Sequence, residues 1–422
     1  MSRTRSTAGS LGVLAVPLLA AWGCAPAAPA VSAPVAAVAP ATADAPRVFA
    51  LRADALAAAR ARVRANDAPM KPAYDRLMDD ANKALAAPLV AVTQKSLLPP
   101  SGDAHDYFSL SPYWWPDPSK PNGLPYIRRD GETNPESKRD LDQPRVATLG
   151  SRVQTLALAY YFSGDERYAA RAAEQLRAWF IDPATRMNPH LRFAQLVRGI
   201  DRERGSGIID TRPFIEAVDA AGLLRGSRAW TPADETAMRG WARSYLDWLW
   251  NSPNGIDERD AENNHGSWYA AQTASLALFT GDTALARRIV AEVPARIGAQ
   301  VTPDGMQPTE MERTRSLHYS AFNLEALSRL AEMGRLLGID VWGYQSPRGG
   351  SLRRAIDRIA PFVGDRKGWP GQQLDDVDSG LMLMQLRRGQ HAYPDAGYTR
   401  LIRALPGDDA MKDRSQLLYP DR

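Results

Sequence analysis

The sequence predicts an all-α chain: a single (α/α) toroid or incomplete barrel, built from helix hairpins and carrying long loops. Three observations predict it. Apolar residues recur at spacings of three and four from Asp44 onward, while runs of alternating β-branched residues are few. Two stretches, Leu156 to Glu166 and Ala274 to Thr283, each read as helix, Gly-Asp turn, helix, with the turns 117 residues apart. Gly164 and Gly281 suit a left-handed cap, and Asp165 and Asp282 can cap the second helix of each pair. Two irregularly spaced copies favour a closed or horseshoe barrel over a regular superhelical array. Lastly, 422 residues exceed one ordinary core, yet no composition break marks a second domain within 44–422, and a toroid accommodates that length.

Composition narrows the function. With 44% hydrophobic and 24% charged residues the chain can build a large core, which excludes a mainly disordered scaffold. The balance of 52 basic against 48 acidic residues is too even to point to nucleic acid, so a polyanionic partner must be held by a local cluster. One cysteine and five histidines form neither CxxC nor HExxH, and no metal site is expected.

Along the chain, residues 1–43 read as an address. Arg3 and Arg5 precede an apolar run from Leu11 to Trp22, too short for a permanent membrane span. Two readings of the segment after Trp22 stay open. Gly23-Cys24 resembles a bacterial lipoprotein box, giving a lipid anchor at Cys24 and an Ala/Pro-rich tether; alternatively, cleavage at Ala41-Thr42-Ala43 discards Cys24. Either predicts export, to the periplasm, the outer membrane or the medium. Next, Asp165 to Phe180 predicts a helix with Tyr168, Ala172, Leu176 and Trp179 on one face. Thr231-Pro232-Ala233-Asp234 supplies an N-cap, a proline at the first helical position and an acid in the first turn, before Met238, Trp241, Tyr245 and Trp248 on one face. Pro99 to Pro144, Asn251 to Asn264 and Gly364 to Gly371 read as long loops, which in a compact domain are usually functional.

Three segments carry chemistry. Asn263-Asn264-His265 precedes an apolar helix from Ala270 to Phe279, with Trp268 nearby; a helix dipole there would lower the His265 pKa and favour a neutral base. Plain capping by the asparagines is the structural alternative. From Gln307 through Glu310, Glu312, Arg313 and Arg315 to Tyr319, polar groups crowd the start of another apolar stretch, and on a helix Arg315 and Tyr319 would share a face. The competing reading is a surface ion-pair ladder with a snorkelling tyrosine. Tyr113, Trp114 and Trp115 lie in a Pro-rich aromatic run without periodicity, whose flat faces suit sugar rings or a plug at the barrel end.

Together, Tyr113-Trp114-Trp115-Pro116-Asp117-Pro118, the segment Asn122 to Glu136, Asn263-Asn264-His265 and Glu312 to Tyr319 resemble the alginate lyase superfamily of α/α-toroid polysaccharide lyases. The resemblance spans about Ala50 to Gln373. It implies a site of Asn264, His265, Arg315 and Tyr319, with Arg313 a rival for the arginine role. Asn263, Tyr113, Trp114, Trp115, Gln307, Glu310, Arg313 and Trp268 would bind substrate. Periplasmic alginate lyases place a second histidine after the tyrosine, whereas this chain continues Tyr319-Ser320-Ala321-Phe322. The pattern is closer to a branch associated with alginate and glucuronan.

The implied reaction is β-elimination on 4-linked uronate polymers such as alginate, polymannuronate or glucuronan, with no cofactor. Asn264 and Arg315 would neutralise the carboxylate, and His265 and Tyr319 would serve as base and acid. In mannuronate and glucuronate the C5 hydrogen and C4 oxygen share a face, so Tyr319 would act as both, held as phenolate by His265; guluronate would need His265 as base. Same-face substrates are the preferred expectation. Two alternatives remain: a toroid glycoside hydrolase using acids such as Asp117, Asp260 or Glu262, and a non-catalytic envelope lipoprotein that binds polysaccharide.

Overall fold

The computed structural model describes residues 46–363, 365–377, 379–405 and 409–421. The leader, Cys24, the Ala41-Thr42-Ala43 site and Gly364 lie outside the described residues. Helices dominate, and they come in hairpins. After α1 (Ala53–Arg64) and α2 (Lys71–Ala86), α3 (Asp142–Ser163) turns into α4 (Glu166–Phe180), and α5 (Phe214–Leu223) is followed by α6 (Pro232–Asn251) and the short α7 (Pro253–Arg259). Then come α8 (Asn264–Thr280) with α9 (Thr283–Ala291), α10 (Val293–Gln300), α11 (Pro308–Met311), α12 (Ser316–Leu337) with α13 (Leu352–Ile359), and α14 (Ser379–Ala392) with α15 (Tyr398–Ala404).

Hairpin partners differ in how they are buried, and that difference produces two layers. Every residue of α8 from Gly266 to Thr280 is buried, as expected of a helix apolar all round. It packs between α5 and α12, while α3 packs on α5 and α12 on α14, forming an inner row. The second helices are amphipathic and lie outside: α4 against α3, α6 and α9 against α8, α13 against α12 and α15 against α14. This is the layered α/α arrangement that the periodicity predicts. The final turn, Ser415–Leu418, contacts α1, α2 and α14, so the first and last described segments meet.

The predicted punctuation holds at both Gly-Asp turns. Gly164 and Gly281 take φ of 77° and 87°, and the Asp165 and Asp282 carboxylates accept from the N–H groups of Arg167 and Leu285. Thr231 forms a capping box with Asp234, and Met238, Trp241 and Tyr245 are buried below it. One predicted loop is corrected. Residues 251–264 contain α7, because Ser252-Pro253 is not a turn but an N-cap with proline at the first helical position; the Ser252 hydroxyl accepts from the Gly255 N–H. Pro99 to Pro144 is mostly irregular, but β1 (Phe108–Leu110), β2 (Trp114–Trp115) and β3 (Ile127–Arg128) fall within it. β2 pairs antiparallel with β3, Trp114 opposite Arg128, and β1 pairs parallel with β4 (Phe193–Leu196). None of the described helices is long and apolar enough to cross a membrane.

A buried carboxylate fastens the start of the described chain. Asp219 on α5 accepts the backbone N–H groups of Phe49 at 2.6 Å, Ala50 at 3.2 Å and Leu51 at 3.0 Å. Beside it Gly222 has no side chain because the Arg47 carbonyl would lie 1.8 Å from any Cβ. Replacing Asp219 with alanine strands three donors and should lower stability by roughly 3 kcal/mol, read as a lower urea midpoint at unchanged m-value.

Candidate active site

The starts of α8 and α12 line one cleft of about 980 Å³ together with the aromatic loop. At its centre the Tyr113 and Tyr319 hydroxyls are hydrogen-bonded at 2.6 Å. Tyr319 stands in the first turn of α12. The Arg313 guanidinium sits 3.6 Å from the centroid of its ring and is itself gripped through Nε and Nη2 by Asp130, at 2.7 to 3.1 Å. Burial alone would raise the Asp130 carboxyl, but the Arg313 pair and the Thr314 N–H outweigh it and bring it to about 2. Burial, reinforced by Tyr113, pushes the Tyr319 hydroxyl well above its ordinary value, and Arg313 opposes that shift without cancelling it. Tyr319 is therefore a protonated phenol in the free enzyme.

His265 occupies the first turn of α8, as predicted, but its electrostatics are the reverse of the prediction. Its Nδ1 lies 2.7 Å from Oε1 of Glu258, a buried carboxylate on α7. Burial is the largest influence and would lower the imidazole pKa, but the charge and the hydrogen bond of Glu258 together outweigh it, and the net shift is upward. The helix dipole that the sequence suggests as the controlling influence is weaker than a carboxylate in contact. With Glu258 accepting from Nδ1–H, the Nε2 lone pair is the free basic position.

Asn263 and Asn264 part company. Asn263 is the N-cap of α8, its Oδ1 accepting from the His265 N–H at 3.0 Å, and it lines the cleft. Asn264 is fully buried at the cleft wall, giving its backbone N–H and its Nδ2 to the two oxygens of Glu310, each at 2.8 Å. Arg315 also lines the cleft, though not as a helical neighbour of Tyr319: it is the N-cap of α12, with Nε 3.4 Å from Asp375.

Several expected substrate contacts belong instead to the framework. Glu310 is 1% exposed and occupied by Asn264; Gln307 is 2% exposed, donating to the Ser320 carbonyl and accepting from Asn323. Both turn inward because buried polar groups must be paired. Trp268 packs in the core against Phe322, with Arg329 over its ring. Trp115 sits outside the cleft lining, its indole N–H bonded to the Glu132 carbonyl; Trp114 does line the cleft, with Arg204 5.5 Å from its ring. The surface ion-pair ladder is absent too, since Arg313 pairs with Asp130 and Glu310 is buried. Glu258 carries no sequence signal beyond being an acid, and the motif from Asn122 to Glu136 contains Asp130 without marking its role, because only the fold brings these acids to His265 and Arg313. The acids considered for hydrolysis, Asp117, Asp260 and Glu262, do not line the cleft.

Residues 91–369 match the family model described as alginate lyase. The structure resembles a crystal structure of an alginate lyase from Bacteroides ovatus, with a TM-score of 0.84 and 38% identity over 89% of this chain and 99% of that one. It also resembles alginate lyase A1-III from Sphingomonas species A1 at a TM-score of 0.51 and 16% identity, covering 84% of this chain and 97% of that one. A variant of A1-III complexed with a tetrasaccharide matches at 0.57 and 17% identity, covering 90% and 97%. A search of curated proteins finds no match.

Since Glu258 is what raises the His265 pKa, Glu258→Gln should lower it. An NMR titration of the imidazole reads this directly, and an unchanged value would remove Glu258 from control of the ring.

Proposed function

Because this chain belongs to the alginate lyase family and is a polysaccharide lyase, we propose that it cleaves 4-linked uronate polymers, alginate among them, by β-elimination. The observation that carries the reading is the convergence in one cleft of the Tyr113–Tyr319 pair under Arg313, His265 backed by Glu258, and Arg315. The Trp114 face with Arg204 supplies a wall on which a sugar ring can rest. A variant of A1-III is complexed with a tetrasaccharide, which supports an oligosaccharide ligand for a chain of this fold.

Eliminating across C4 and C5 requires three things of the residues. The carboxylate on C5 must be stabilised as it gains charge, for which Arg315 and an amide of the Asn263–Asn264 pair are placed. His265 Nε2 takes the C5 proton. The electron pair of the C5–H bond becomes the C4–C5 double bond, the C4–O bond breaks, and the leaving oxygen takes the Tyr319 hydroxyl proton. With Tyr319 protonated and His265 as the base, the pair suits opposite-face elimination, the geometry of α-L-guluronate, alongside the same-face chemistry expected from the sequence. Same-face substrates would need Tyr319 to give its proton to a base first, and the Tyr113 hydroxyl 2.6 Å away could then donate a hydrogen bond to the phenolate.

Wild-type protein incubated with polymannuronate, polyguluronate and glucuronan should yield ultraviolet-absorbing unsaturated ends; reducing ends without that absorbance would mean hydrolysis and overturn the proposal. Tyr319→Phe should lower kcat at least about 1,000-fold while leaving oligosaccharide binding intact. His265→Asn should abolish guluronate cleavage, and retained guluronate turnover would move the base elsewhere. Because the base must be neutral, the rate should fall as pH drops through the raised His265 pKa, and in Glu258→Gln that limb of the profile should move to lower pH.

A further inference from the structure

A second cavity lies at the far end of helices that begin at the cleft. It measures about 410 Å³, within the range of small-ligand sites, and its lining includes Trp342, Tyr344, Arg353, Arg354, Asp357 and Tyr393. Tyr319 and Leu381 line the cleft in the first turns of α12 and α14, whereas the cavity is built from the connection after α12, the first turns of α13 and the residue that follows α14. At 1.5 Å per residue the 22 residues of α12 span roughly 33 Å, and cleft and cavity share no lining residue. We propose that this cavity is a second, non-catalytic binding site for a uronate residue of the polymer, taking the carboxylate at Arg354 and the sugar ring on Tyr344. The proposal rests on the reading of the substrate as a polyuronate.

Charge in the cavity is unbalanced toward an anion. Asp357 is the acid in the lining, and both its oxygens are taken, Oδ2 by the Arg353 Nε at 3.0 Å and Oδ1 by the Tyr398 hydroxyl at 2.6 Å. Asp340 lies outside the lining and accepts from the Gly343 N–H. The exposed Arg354 guanidinium has neither an ion pair nor a hydrogen bond among the described residues, so it is the surplus cation. A donor is unmet as well. Trp342 is 5% exposed, and its indole N–H, shut away from water at the cavity wall, has no acceptor among the described residues. A sugar hydroxyl supplies one. The aromatic wall is held in place, because the Tyr393 hydroxyl donates to the Trp342 carbonyl at 2.6 Å and Arg353 lies 5.5 Å from the Tyr393 ring centroid. The half-buried Tyr344 has no partner for its hydroxyl among the described residues. Aromatic faces beside an unpaired guanidinium match an acidic sugar, which offers a C–H face to a ring and a carboxylate to the cation. A long polymer, or a second chain in a gel, can occupy cleft and cavity together and is held more tightly than by either alone.

Tyr319→Phe protein, which binds without turning over, allows the two sites to be counted. Calorimetric titration with mannuronate, guluronate and glucuronate tetrasaccharides in turn should reveal two sites per chain for at least one of them. Adding Arg354→Ala or Tyr344→Ala should weaken the second site roughly 10-fold while the first keeps its affinity. In the otherwise wild-type enzyme, Arg354→Ala should raise KM on long polymer several-fold and leave kcat, the melting midpoint and turnover of a tetrasaccharide unchanged. A single site per chain with every tetrasaccharide would overturn the proposal, and so would an unchanged polymer KM in Arg354→Ala. Equal second-site binding of a neutral 4-linked glucan tetrasaccharide would overturn it too, since a neutral sugar has no use for the cation. Failure of the wild-type protein to form unsaturated products on any uronate polymer, with the second site still present in the titration, would instead strike the lyase reading.

Discussion

The hydrogen bonds between Glu310 and Asn264 hold the rest of the site together. One carboxylate, almost wholly shielded from water, accepts both the first N–H of α8 and the side chain of the same residue. Burial raises the Glu310 carboxyl and the two Asn264 donors oppose that shift. The bridge joins two segments 46 positions apart, one in the helix that carries His265 and the other in the turn leading to the helix that carries Tyr319. Stranding one partner of such a buried hydrogen-bonded pair costs about 1–3 kcal/mol, so the bridge ties the start of the His265 helix to the turn before the Tyr319 helix.

Acids in this site act mainly from behind. Glu258 backs His265, Glu310 backs Asn264 and Asp130 backs Arg313. Each fixes the orientation of a group at the cleft, and Glu258 and Asp130 also supply countercharge where a bare imidazolium or guanidinium would be costly to bury. A near-neutral chain can in this way present cations and amide hydrogens to an anionic polymer. The Arg313 guanidinium does two jobs: neutralised by Asp130, it also covers the Tyr319 ring and moderates the rise in that hydroxyl.

Much of the fold is legible because its signals are local. Gly164-Asp165, Gly281-Asp282 and Thr231-Pro232 mark helix ends through cap chemistry that depends on a few neighbouring residues. Ser252-Pro253 carries the same kind of signal, but proline and glycine close together also suit a turn, and only the folded chain separates the two. Trp268 and Gln307 resemble cleft residues by type alone, because residue type does not say which side of a helix start faces a cavity. Their burial follows from α8 packing against α12, a contact between segments far apart in the chain.

By itself the sequence determined the helical class, the hairpin punctuation and the family, and through the family it pointed to His265, Arg315 and Tyr319, which the structure brings to one cleft. Those follow from periodicity, caps and motifs, all of which are short-range. Tertiary structure decided the electrostatics and the division of labour: Glu258 raises the imidazole that the helix dipole alone would have lowered, Tyr113 comes to lie 2.6 Å from Tyr319 across 206 positions, and Glu310 holds Asn264 while Asn263 caps the helix. A pKa or the direction of an amide depends on charges and donors within a few ångströms, and in a toroid those neighbours come from distant helices.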